Sequence, residues 1–124
     1  MMQGESLNSS GAIYLDREAR IEALRRAASL ARKRAPAIRR VILFGSLASG
    51  DATPRSDADI LIVVEGSAHQ RSRDRIPEML QALSPLPCPI DLFVLTCDEF
   101  DRYKSEGSPL LRAAAEYGID LLPE

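Results

Sequence analysis

Apolar residues in this chain follow two rhythms. Ile21, Leu24, Ala28 and Ala31 recur every three or four positions. That is the spacing of one helix face, and it predicts a helix over 17–34. Asp16 stands where an N-cap belongs, and Pro36 follows the last turn. The second rhythm is the short unbroken run: Val41-Ile42-Leu43-Phe44, Ile60-Leu61-Ile62-Val63-Val64 and Leu92-Phe93-Val94-Leu95. Each is flanked by Gly, Pro or small polar residues, which predicts buried strands over 40–44, 59–64 and 90–95.

The segments between them fill in the order. Residues 46–49 suit a short helical turn stopped by Gly50. A second long helix is expected over 70–83, with Pro77 at a kink or in its first turns. Ser84-Pro85-Leu86-Pro87 reads as a rigid connector. Thr96 or Asp98 caps a helix over 99–105, and Ser108-Pro109 opens another that ends before Gly118. Residues 119–122 suit a short edge strand. Residues 1–13 are polar and read as a flexible tail, leaving 14–124 as the folded domain. This order is α/β (α+β), with a small mixed sheet backed by helices.

Composition narrows the function classes. The 124 residues suit one domain, and 45% hydrophobic content supplies a core. A net charge of −2 gives no overall basic field, and the aromatics that would stack on bases are few. Direct nucleic-acid binding is therefore not expected. Charge is nevertheless uneven: nine of the sixteen Lys and Arg lie between Arg17 and Arg40, while acids gather after Asp98. Two cysteines without ligand spacing favour a reduced, cytoplasmic protein. No apolar run reaches membrane-spanning length and no signal peptide is expected, so no membrane partner is expected either.

The candidate chemistry lies at the strand ends. Gly45-Ser46 follows the first strand, and Asp57-Ala58-Asp59 opens the second. Residues two apart on a strand share a face, so Asp57 and Asp59 are expected side by side. Two close carboxylates repel unless a cation lies between them. Asp91 adds a third acid inside an apolar run, where a lone charge needs a partner. Oxygen-only ligands with room for water and phosphate suit magnesium, and two-metal phosphoryl-transfer sites space their ions about 3.5–4 Å apart. Gly45 allows close backbone approach, and Ser46 offers a hydroxyl and free N–H groups to an anion. Each feature also has an ordinary reading: a strand exit, a turn residue, a solvated strand end.

Taken together, Gly45-Ser46, the ten residues that follow and Asp57-Ala58-Asp59 resemble the signature of the DNA polymerase β-type nucleotidyltransferase superfamily. Its small members, the minimal nucleotidyltransferase (MNT) domains, are the nearest in pattern. Ala48, Gly50 and Ser56 fit the same pattern, and Asp91 matches the third carboxylate. Ser49 departs from it, standing where a basic residue is common; Arg55 lies in the same loop.

The resemblance implies a mixed sheet with helices on one face. It also implies Asp57, Asp59 and Asp91 as catalytic metal ligands, with Gly45, Ser46 and Ser56 at the nucleotide. Two magnesium ions, or manganese, would serve as cofactors, and ATP would be the donor for AMP transfer. Standalone MNT proteins often act as antitoxins to a HEPN-domain RNase toxin, which they bind and can modify by AMPylation. The HEPN motif is absent here, because His69 has no Arg shortly before it. Two alternatives remain open: a non-catalytic antitoxin that masks its toxin, and a small-molecule (aminoglycoside-type) nucleotidyltransferase acting alone or as a homodimer.

Overall fold

The computed structural model describes residues 8–50 and 58–123, with the backbone alone over 8–16. Helix α1 (Asn8–Arg34) leads into strand β1 (Ile38–Phe44) and a one-turn helix α2 (Gly45–Ser49). Strand β2 (Ala58–Val64) follows, then a 3₁₀ turn (Ser72–Arg75) running into α3 (Ile76–Leu83). Strand β3 (Ile90–Thr96), helices α4 (Cys97–Ser105) and α5 (Pro109–Tyr117), and the two-residue strand β4 (Ile119–Asp120) complete the order. The strands form one sheet in the order β3-β2-β1-β4. β1 runs antiparallel to β2 and β4, whereas β3 runs parallel to β2. The sheet is mixed, as the apolar rhythm predicts.

Alternation along each strand sorts its side chains into two layers. Val41, Leu43, Ile60, Ile62, Val64, Leu92 and Val94 face α1 and α3, where Leu24, Ala28, Ala31, Met79 and Leu83 close over them. Ile42, Phe44, Leu61, Val63 and Leu95 face the other way and are covered by Phe100, Leu111 and Ala114 of α4 and α5. Helices therefore lie on both faces, where one face was expected. The reason is β2: its unbroken apolar run leaves Ile60 through Val64 fully buried, so neither side can meet water. An irregularity in the register between Ile38 and Arg40 turns Ile38 onto the α1 side.

Element boundaries differ from expectation in two places. Helix α1 starts at Asn8, so Asp16 lies inside it rather than at its N-cap, and the expected tail is helical from Asn8 onward. Extending a formed helix upstream fixes one residue per bond gained, far less costly than starting one. The helix expected over 70–83 is instead a 3₁₀ turn followed by α3, with Pro77 in the first turn of α3. Proline lacks the N–H that a first turn leaves without an intrahelical partner, so it fits there without breaking a bond. The α4 cap resolves the choice between Thr96 and Asp98. The Thr96 hydroxyl accepts from Glu99 N–H, and the Glu99 carboxylate accepts from Thr96 N–H, a reciprocal capping box.

Candidate functional site

The site begins where β1 ends. Phe44 is extended, and Gly45 turns the chain with φ +77° into α2. A side chain at Gly45 would be strained by that φ and would also collide: a Cβ would lie 2.0 Å from Asp59 Oδ2. The glycine is thus the floor against which the Asp59 carboxylate lies. Leu47 and Ala48 anchor α2 in the α1-side core, and Gly50 at φ +93° ends it, its N–H donating to Ser46 O at 3.0 Å. Arg17 on α1 reaches the far end of this short helix. Its Nε donates to Leu47 O and its Nη2 to Ala48 O, both at 3.0 Å. A cation on those last carbonyls satisfies them and complements the helix dipole. Arg17 was expected only as the start of a helix; nothing in the linear spacing points it toward residues thirty positions on. Ser49 is exposed, and its hydroxyl donates to Ser46 O at 3.3 Å.

The acids come together through strand register. Asp59 lies opposite Phe44 across the antiparallel pair and opposite Asp91 across the parallel pair. Neighbouring strands are about 4.8 Å apart, and register partners share a face. Asp59 and Asp91 therefore stand side by side on the α4/α5 side of the sheet, at the starts of β2 and β3. Asp59 is half-buried and Asp91 exposed. Their neighbours Ala58, Ile60 and Leu92 point into the α1-side core and fix the alternation. Asp57, Ser56 and Arg55 lie outside the described residues. Among the described residues no set of three His, Cys, Asp or Glu converges on a metal position. The pair that is described fits a hard divalent cation chemically: oxygen donors only, with like charges adjacent.

One aromatic feature of this face goes beyond the linear motif. Phe93, two residues past Asp91 and opposite Leu61, is 38% exposed. Its ring lies 5.9 Å from that of Phe44, tilted by 47°, so the pair spans β2 just behind Asp59. The remaining candidates lie elsewhere. His69 sits in an exposed loop, Cys88 packs against the α1-side core and Cys97 against the other.

A second charged centre occupies the opposite end of β3, and it is structural. Arg75 is buried and uses all its donors: Nε to His69 O (2.8 Å), Nη1 to Val94 O (3.2 Å) and Glu99 Oε1 (2.7 Å), Nη2 to Gln70 O (3.0 Å) and Glu99 Oε2 (3.1 Å). The Arg75 hydrogen bond holds the Glu99 carboxyl below the ordinary carboxylate range against the opposing effect of burial, and Thr96 N–H adds to the lowering. Glu99 raises Arg75 in return. Sequence reasoning missed this pair because Arg75 falls inside the helix expected over 70–83, and nothing in its local pattern points it at Glu99, twenty-four residues on.

Comparison with known proteins falls in line with this arrangement. The profile of the nucleotidyltransferase domain matches residues 24–121. No curated protein matches the chain. Among solved structures, a provisionally assigned nucleotidyltransferase from Sulfolobus solfataricus is similar in fold, with a TM-score of 0.59 and 23% identity, covering 84% of this chain and 80% of that one. A toxin–antitoxin structure with AMP-PNP is more distantly similar, with a TM-score of 0.46 and 20% identity over 76% of this chain and 68% of that one. Among the described residues no helix is long and apolar enough to cross a membrane.

Proposed function

We propose, since the chain belongs to the nucleotidyltransferase domain family, that it transfers AMP from ATP to a hydroxyl of a partner protein in a metal-dependent reaction. The observation that carries this reading is the register of Asp59 opposite Asp91, with Gly45 against the Asp59 carboxylate. Bound at these carboxylates, magnesium or manganese would neutralise phosphate charge and lower the pKa of the acceptor hydroxyl. Asp57, Asp59 and Asp91 are the residues assigned to hold it.

The chain's own groups then have distinct tasks. Ser46 and the N–H groups that open α2 donate to the β- and γ-phosphate oxygens, and Ser56 is assigned to the nucleotide by the resemblance. Gly45 keeps the backbone close to the phosphates, and Arg17 fixes the other end of the helix that carries the donors. The acceptor oxygen attacks the α-phosphorus in line, and pyrophosphate leaves toward the Gly45-Ser46 turn.

The partner assigned from the resemblance is a HEPN-domain toxin, with this chain as its antitoxin. Exposed Arg26, Arg32 and Lys33 near the end of α1, and the acids that follow Asp98, offer two faces of opposite sign for recognition. Co-expression of the pair, labelled ATP and mass spectrometry test the assignment. An added AMP on a partner hydroxyl, absent with Asp57→Asn or Asp59→Asn, is the expected result. A tight complex that inhibits the partner equally well with those variants and never carries AMP leaves masking as the function. Absence of any complex turns the reading to a small-molecule acceptor.

A further inference from the structure

We propose that Phe93 is a specificity-determining residue of this site, one that favours acceptors bringing apolar surface with their hydroxyl over water. The inference rests on the nucleotidyl-transfer reading above and concerns the side of the site that reading leaves undefined. Three positions run across the sheet in order: Gly45 after β1, Asp59 on β2 and Asp91 on β3. Triphosphate held at the Gly45-Ser46 turn places the leaving pyrophosphate on the β1 side. In-line displacement then brings the acceptor from the β3 side, past Asp91. Phe93 stands there. It shares the Asp91 face, about 7 Å further along the strand, and β3 is the outer strand of the sheet.

Its ring is not simply core. Phe44, its aromatic neighbour, is 6% exposed, and Leu95, the next residue on the same face, is 5% exposed; Phe93 at 38% keeps a free surface on the face it shares with Asp91. Apolar surface in that place gains free energy when an acceptor's carbon skeleton covers it, and a water molecule gives no such return. The reaction selected for is ROH plus ATP giving RO–AMP, pyrophosphate and a proton. The acceptor oxygen forms the new bond to the α-phosphorus, the α–β bridging bond breaks, and the proton passes to solvent. Water in the same position gives AMP.

The test uses the full chain with magnesium, labelled ATP and two alcohols of closely matched hydroxyl reactivity, ethanol and 2-phenylethanol, resolving both AMP esters and free AMP. Wild type is expected to form the phenethyl ester about tenfold faster than the ethyl ester at equal concentration. Phe93→Ser should bring that ratio to within about twofold and raise the share of free AMP, while the dissociation constant for ATP with magnesium moves less than about twofold. Phe93→Leu, apolar but without a ring, should fall between them; thermal melts establish that each variant is folded. An unchanged ester ratio in Phe93→Ser overturns the proposal. So does a variant that loses ATP affinity while keeping the ratio, since Phe93 then serves the nucleotide. Wild type that binds ATP with magnesium yet esterifies neither alcohol overturns it as well. Wild type that fails to bind ATP with magnesium overturns the underlying transfer reading instead.

Discussion

The two ends of β3 treat their carboxylates in opposite ways. At the far end, Glu99 is held by Arg75, capped into α4 and drawn below its ordinary pKa by that guanidinium. At the near end, Asp91 faces another carboxylate, Asp59, and among the described residues no salt bridge forms to Asp91. A carboxylate that serves the fold has its counter-charge built into the chain. Asp59 and Asp91, side by side with like charge, are placed to repel. The same strand therefore meets an ion pair at one end and a pair of like charges at the other.

Substitution should separate the two ends, most sharply in activity. Asp59→Asn or Asp91→Asn is expected to lower AMP transfer about a thousandfold, roughly 4 kcal/mol on the barrier. Asp91→Asn should melt no lower than wild type in the absence of metal, because like-charge crowding is relieved. Steady-state transfer and thermal melts check both halves; a variant that unfolds makes the acids structural and erases the contrast.

Arg75→Ala should do the reverse, costing about 3 kcal/mol of stability by leaving Glu99 without its cation. Chemical denaturation measures it. Glu99→Gln should cost less and carry a pH signature. The folded pKa of Glu99 lies below its ordinary value of 4.5. Its stabilising contribution is therefore full above that pH and is lost as pH falls through the depressed value. The stability gap between wild type and Glu99→Gln should be widest near neutrality and shrink in acid below about pH 4.5. A gap independent of pH would mean the pair does not work as an ion pair.

Gly45→Ala should cost about 2 kcal/mol for the positive φ, and more in activity, since its Cβ displaces the Asp59 carboxylate. Arg17→Ala has the smallest expected effect. Two hydrogen bonds to α2 are lost, about 1 kcal/mol in stability by denaturant melt. Transfer assays should show a raised KM for ATP with little change in kcat, because the helix presenting Ser46 loosens while the acids stay in place.

The legible parts of this molecule are those written within one segment. The strands at 40–44, 59–64 and 90–95 extend by only one or two residues in the structure, because unbroken apolar runs allow few other solutions. Gly45, Gly50 and the α5 start were readable because each needs a particular backbone geometry. Contacts between segments were not. The acids could be named, yet only the parallel register shows that Asp59 meets Asp91. Arg17 on α2 and Arg75 on Glu99 depend on separations of thirty and twenty-four residues, which no local pattern encodes. Helices on both faces follow from β2 being apolar throughout, a fact visible in the sequence but overridden by the resemblance.

The parallel pairing of β2 with β3 has a consequence in time. Gly45 and Asp59 are joined through the antiparallel β1–β2 pair, across a connection of residues 45–57. Asp91 arrives only after residues 65–89 have carried the chain over the sheet and back to the same end. Ordering entropy must be spent before such distant pairing repays it, so the crossover closes late. By that ordering Asp59 is set beside Phe44 and Gly45 before Asp91 is brought alongside it.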